Sequence, residues 1–217
     1  MIHFRKDSVQ HCNILEGFIV FEGIDGSGTT TQLNRIMRDF ASRNIKAFAT
    51  REPTSSSLGM LIDSFLKKQV FFSPQTVTRL FATDRCEHIY GKGGILEMLQ
   101  KGIVISDRYL FSSLAYQGAT DQGMLALSEN AAFPLPQMLF FFELPVEVAM
   151  KRIEMRCEEQ EFYERCDFLI QVQQNYCAIM EEYQTKYPDM KIIRIDASQS
   201  EDAVFDKIKS HLKLHFI

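Results

Sequence analysis

The stretch Gly23-Ile24-Asp25-Gly26-Ser27-Gly28-Thr29-Thr30 has the G-x-x-x-x-G spacing of a loop that binds phosphate. Glycines at both ends let the backbone wrap tightly, turn its N–H groups inward and lead into a helix whose N-terminus favours an anion. Thr30 stands where a Ser or Thr hydroxyl ligates magnesium in such loops. The preceding place, which carries a lysine that reaches the β- and γ-phosphates, holds Thr29 instead. The chemistry indicated is the handling of a polyphosphate with one expected cation missing. On these residues alone a plain strand-to-helix turn stays open as the alternative.

The elements that must position this loop follow from hydrophobic patterning. Residues 18–21 form an apolar run suited to a strand buried on both faces, and Leu33, Ile36, Met37 and Phe40 then recur at helical spacing. The alternation repeats: residues 47–50 then 58–67, a long helical stretch from Pro74 then 103–106, 139–142 then 146–156, and 192–195 then Ser200 onward. Five strands with helical crossovers predict an α/β fold, a doubly wound five-stranded parallel sheet with helices on both faces. Near the end, Phe168, Val172, Tyr176, Ile179 and Tyr183 mark one helix face, and Ser200 before Glu201 and Asp202 caps another helix. Residues 17–217 are read as one domain with residues 1–16 as an N-terminal extension. The polar segment about 156–165, between two helical patterns, is the expected lid.

Composition narrows the class. Of 217 residues, 46% are hydrophobic and 24% charged, enough apolar mass for a substantial core. A net charge of −4 argues against a general binder of nucleic acid polymers and leaves room for a small anion held by a few placed arginines. The chain has no apolar run of membrane-spanning length and no signal-like start, so a cytoplasmic location without membrane contact is expected. Cys12, Cys86, Cys157, Cys166 and Cys177 show neither C-x-x-C nor a histidine at zinc-site spacing, so they are read as reduced thiols.

Beyond the loop, Arg51-Glu52-Pro53 follows the second strand and Leu80 to His88 includes Phe81, Asp84 and Arg85. Asp107-Arg108-Tyr109 runs on to Gln117-Gly118 after the third strand, and residues 145–152 precede the lid. In this order, with Glu22 to Gln32, the segments resemble those of thymidylate kinases over nearly the whole chain from about Gly17. The resemblance implies transfer of the γ-phosphoryl group of ATP to dTMP with Mg2+, a reaction between polyanions in which positioning and charge neutralisation dominate. It also implies a homodimer. Residue by residue, it places Gly23, Asp25, Gly26, Ser27, Gly28, Thr29 and Thr30 at the ATP phosphates and Arg51 and Arg108 on the acceptor phosphate. Phe81 would stack on thymine, four residues from an Arg85 that bonds a base oxygen. Tyr116 would lie under the sugar, with Ser112 and Gln117 lining the monophosphate site. Asp25 would face the 3′-hydroxyl or the magnesium shell, and Asp107 would act on magnesium through water or orient Arg108; Thr30 and Asp107 are thus the candidate metal residues. Against these stand plainer roles: salt bridges from Arg51 and Arg108 to the adjacent Glu52 and Asp107, an Asx turn at Asp25, and core packing of Phe81.

Two departures bear on turnover. Thr29 removes the loop cation, and in Glu161-Phe162-Tyr163-Glu164 the family's lid arginine is Phe162, although Glu164 keeps the acidic place. Arg156, with Arg152 second and Arg165 nearby, is the expected substitute cation and is counted with Asp25 and Arg108 among the catalytic candidates. The alternatives are a catalytically impaired nucleotide-binding homologue and a kinase for another nucleoside monophosphate or a deoxynucleoside.

Overall fold

The computed structural model describes residues 13–155, 163 and 166–216. Five strands form one sheet in the order β2-β3-β1-β4-β5, all neighbours parallel: β1 (Ile14–Gly23), β2 (Ala47–Arg51), β3 (Ile103–Asp107), β4 (Leu135–Glu143) and β5 (Lys191–Asp196). The helices are α1 (Thr29–Ser42), α2 (Ser57–Leu66), α3 (Pro74–Tyr90), α4 (Ile95–Leu99), α5 (Leu110–Gly118), α6 (Gly123–Asn130), α7 (Val146–Glu154), α8 (Cys166–Lys186) and α9 (Glu201–Phe216). α1 packs with α9 and α5 with α8, giving the expected sheet with helices on both faces.

β1 and β4 are the central strands. Phe18 to Phe21 and Met138 to Phe142 are almost wholly buried, which is why both read as continuous apolar runs rather than alternating ones. β1 begins at Ile14, opposite Leu135, so the last residues of the stretch read as an extension belong to the sheet. Capping residues set the helix starts: Ser73 accepts from the Thr76 N–H ahead of Pro74, Ser56 from Gly59, and Ser200 from Ala203, the last as the sequence predicts. The stretch from Pro74 is two helices, broken at Gly91 to Gly94, where Gly93 has φ 75°. Register then aligns the strand ends, since Phe21 lies opposite Asp107 and Asp107 opposite Arg51.

Among the described residues no helix is long and apolar enough to cross a membrane. The proposed lid lies outside the described residues apart from Tyr163, as do Arg156, Phe162, Glu164, Arg165, Cys12 and Cys157.

Candidate active site

The loop after β1 turns through left-handed Gly26 (φ 81°) and Gly28 (φ 91°) into α1. Tight packing demands glycine on its outer side: a Cβ at Gly26 would sit 2.8 Å from the Ala149 carbonyl, and one at Gly23 would sit 2.6 Å from Ser27 Oγ. α1 has no side-chain N-cap and no acid in its first turn, so no side chain of its own accepts from its leading amides. These amides border a cavity of about 680 Å³. Asp25, Gly26, Ser27, Gly28, Thr29, Thr30, Arg51, Phe81, Arg85, Asp107, Arg108, Ser112, Tyr116 and Gln117 line it, with Arg152 and Tyr163. Gly23 lies just behind, its carbonyl accepting from Arg108 Nη1 at 3.0 Å.

Thr30 and Asp107 meet across the loop, the Thr30 hydroxyl donating to Asp107 Oδ2. Asp107 Oδ1 is buried without a partner. Among the described residues three other buried side-chain polar atoms share that condition, Ser27 Oγ, Gln32 Oε1 and Gln117 Oε1, and all four residues line this cavity. Folded proteins satisfy their buried polar groups almost everywhere. Four left open around one cavity mark a place built for a polar ligand.

Arg108 has φ 72°, a left-handed backbone for a non-glycine residue. Its guanidinium donates through Nη2 to Asp25 Oδ1 at 2.5 Å and through Nη1 to Ser112 Oγ at 3.1 Å, and it lies 5.3 Å from the Tyr116 ring centre. The Tyr116 hydroxyl donates to the other oxygen of Asp25 at 2.8 Å. Burial holds the Tyr116 phenol far above its ordinary range, so it acts only as a neutral donor. Neither arginine pairs with the acid beside it in sequence: Asp107 takes Thr30, and exposed Arg51 reaches Asp63 at 3.8 Å.

Arg85 and Phe81 both border the cavity from α3. Arg85 is buried, with Nε and Nη2 on Glu52 Oε2, Nη1 on Asn130 Oδ1 and Nη2 on Ser113 Oγ. Three of its five N–H groups therefore donate hydrogen bonds to protein acceptors, and Nη2 also pairs with Glu52 Oε2 as an ion pair at 2.7 Å. Tyr163 stacks on Phe168 with centroids 5.1 Å apart and meets the Tyr116 ring edge-on at 5.6 Å. Its phenol is pushed up to about 12 by burial.

Sequence reasoning missed several participants. Buried Asp84 ties down the turn after Pro53 by accepting from the Thr54 N–H (2.8 Å) and from the Thr54 and Ser56 hydroxyls. Glu22 and Tyr176 stand behind Arg108. The only local sign of Glu22 was a charged residue closing an apolar strand, and Tyr176 looked like one more core position on its helix.

A sequence model of the thymidylate kinase family matches residues 21–208. A putative thymidylate kinase of Treponema pallidum (strain Nichols) is 44% identical over 202 residues, 93% of this chain and 97% of that protein. A probable thymidylate kinase of Pyrococcus horikoshii is 36% identical, over 81% and 86%. The solved thymidylate kinase of Candida albicans covers 91% of each chain with a TM-score of 0.72 at 24% identity, a likeness of fold. Matched over most of its length and sharing that parallel sheet, the chain belongs to the thymidylate kinase family of nucleoside monophosphate kinases, which phosphorylate dTMP to dTDP.

Proposed function

We propose that the chain transfers the γ-phosphoryl group of ATP to the 5′-phosphate of dTMP, supplying dTDP for dTTP synthesis. One observation carries the reading: the uncapped end of α1 and the Arg108 guanidinium open on the same cavity, which also holds every unpartnered buried side-chain polar atom of the described residues. Two anion-seeking groups facing one space suit a reaction that brings two polyphosphates together. An oxygen of the acceptor phosphate attacks the γ-phosphorus, the bond to the β-phosphate oxygen breaks, and ADP leaves with that electron pair.

In this reading the Gly23 to Thr30 loop cradles the ATP phosphates and Arg51 and Arg108 fork onto the acceptor phosphate. Phe81 and an N–H of Arg85 not bonded within the protein meet the base, and Gln117 Oε1 supplies an acceptor. Asp25, Ser112 and Tyr116 border the sugar and phosphate. Thr30 and Asp107 offer hard oxygen donors, one of them a buried carboxylate oxygen without a partner, which fits Mg2+. That ion, when bound, neutralises charge on the β- and γ-phosphates. A substitute cation belongs to the same proposal, either Arg152 at the cavity wall or Arg156 from outside the described residues, and the homodimer and cytoplasmic location are proposed with it.

ADP release measured with ATP, Mg2+ and a panel of nucleoside monophosphates tests the reading. The expected result is turnover with dTMP well above UMP, the gap narrowing by up to a few kcal/mol in Tyr116→Ala. Equal use of all pyrimidine monophosphates would remove the base and sugar assignments. The absence of the loop cation at Thr29 favours a second reading, nucleotide binding without transfer, and dTMP binding with no ADP release would select it.

A further inference from the structure

Glu22 is a carboxylate with no exposed surface at the end of β1. Its Oε1 accepts from the main-chain N–H of Tyr109 (2.8 Å) and of Ser112 (3.2 Å). Tyr109 is the N-cap residue of α5, a helix whose own side chains give it no cap. Glu22 therefore closes the amino end of α5 from another element, where a negative group is most favourable. The turn it closes contains Arg108 in its left-handed conformation, pinned also by Arg108 N–H to the Phe21 carbonyl (2.9 Å) and Ser106 Oγ to the Arg108 carbonyl (2.7 Å).

The second oxygen of Glu22 reaches the guanidinium indirectly. Oε2 accepts from the hydroxyls of Ser112 (2.7 Å) and Tyr176 (2.8 Å). The two hydroxyl oxygens also lie 2.8 Å apart, so with Glu22 ionised their two protons serve three short contacts, while both oxygens accept from Arg108 Nη1, which lies 3.1 Å from Ser112 Oγ and 3.5 Å from the Tyr176 oxygen. A protonated Glu22 would add a third proton to this cluster and remove the negative charge that faces the guanidinium through it.

We infer that Glu22 is a positioning residue for acceptor binding: by capping α5 and orienting the Ser112 and Tyr176 hydroxyls, it holds Arg108 in the geometry that grips the acceptor phosphate. The inference rests on the acceptor role proposed for Arg108. The ionisable groups around Glu22 are Arg108 from the turn after β3 and Tyr176 from α8, with Asp25 and Tyr116 beyond the guanidinium. Burial pushes Glu22 up to about 7 despite Arg108 and its hydrogen-bond donors, while Tyr176, itself raised by burial, stays neutral.

The test is calorimetric affinity for dTMP and ATP in the wild type, Glu22→Gln and Tyr176→Phe between pH 6 and 8, with turnover measured separately. Gln keeps a carbonyl for the two amides but aims N–H groups at the hydroxyls. It is expected to weaken dTMP binding about tenfold at pH 8, the scale of one charged hydrogen bond, and to leave ATP binding unchanged. Wild-type dTMP affinity should fall as pH drops through about 7, a step absent in Glu22→Gln. The dTMP phosphate's own ionisation, near 6, cancels in the ratio of the two proteins. Tyr176→Phe removes one donor to the carboxylate and should move the step to higher pH. The inference falls if Glu22→Gln binds dTMP like the wild type, if dTMP and ATP affinities drop together as a general loss of structure would make them, or if Tyr176→Phe leaves the step in place. A wild type that binds dTMP without turning it over removes the kinase reading and leaves this one standing; a wild type that does not bind dTMP removes both.

Discussion

Asp25 and Arg108, 83 residues apart in sequence, meet at 2.5 Å between Oδ1 and Nη2, so the loop that would cradle the donor is tied to the guanidinium that would hold the acceptor. Gly23, Ser112 and Asp25 fix the fork, and the Tyr116 ring lies beside it, before any phosphate arrives. Preorganisation of this kind is the main way a site lowers the cost of gathering charge. Arg108→Ala is therefore expected to cost about 2–4 kcal/mol in kcat/KM for dTMP, with Arg108→Lys restoring only part because an ammonium lacks the planar fork. A near-neutral Arg108→Ala in steady-state kinetics would mean the acceptor phosphate binds elsewhere.

A second of the cavity's arginines sits deeper. Arg85 is 1% exposed and shares Glu52 with His88, whose Nδ1 lies 3.0 Å from Oε1 and whose Nε2 lies 2.6 Å from Thr50 Oγ1. Removing one member of a buried ion pair strands the other charge, typically at about 3–5 kcal/mol. Glu52→Ala should lower the free energy of urea unfolding by about that much, while Glu52→Ala with Arg85→Met should cost less than Glu52→Ala alone. A Glu52→Ala protein within about 1 kcal/mol of the wild type would show that water already reaches the pair.

These two arginines show what was legible in the chain and what was not. β1 and β4 were readable because strands buried on both faces leave uninterrupted apolar runs, and Ser200 because a cap acts within a few residues of itself. α5 was missed as a helix: seven of its nine residues are buried, so it has no polar face to set a period. Arg85 was identified as a site residue, yet nothing adjacent announces that Glu52, Asn130 and Ser113 converge on it from 33, 45 and 28 residues away. Glu22 was hidden for the same reason, with partners 87 to 154 residues distant. Local pattern fixes elements; only the assembled sheet brings their ends together.

Glu22 also leaves a signature in stability. Its ordinary value is 4.5 and burial raises it to about 7, so the folded chain binds the proton more tightly than the unfolded one. The stabilisation this gives is fully present below about pH 4.5 and is lost as pH rises through 7, an amount of about 3 kcal/mol over the whole span. Gln at this position does not titrate. Urea unfolding at pH 5 and pH 8 should show the wild type losing most of that amount relative to Glu22→Gln as pH rises. A gap that stays constant with pH would mean Glu22 keeps its charge throughout.

The remaining prediction concerns the missing loop cation. Thr29 is the first residue of α1, buried to 8% exposure at the cavity wall, and its hydroxyl supplies one neutral hydrogen bond where such loops place a positive charge. Arg152, in the last turn of α7, also lines the cavity, with Nη1 on the Gly26 carbonyl (3.2 Å) and Nη2 on the Ala197 carbonyl (3.1 Å). Both acceptors are neutral, so the guanidinium's charge has no carboxylate partner in these contacts and its field falls on the phosphate loop. If Arg152 serves the transferring phosphoryl group, the wild type turns over in the ordinary kinase range of ~1–100 s⁻¹, Arg152→Ala lowers kcat by ~10²-fold or more, and Thr29→Lys gains nothing because a second cation crowds a filled place. If Arg156 does so instead, Arg156→Ala carries the loss and Arg152→Ala is mild. If transfer needs the loop cation and neither supplies it, the wild type is nearly silent and Thr29→Lys restores measurable ADP release. The expected outcome is the first. Arg152 lines the cavity and already touches the phosphate loop through the Gly26 carbonyl; strong wild-type turnover indifferent to both alanine variants would show that transfer proceeds here without any substitute for the loop cation.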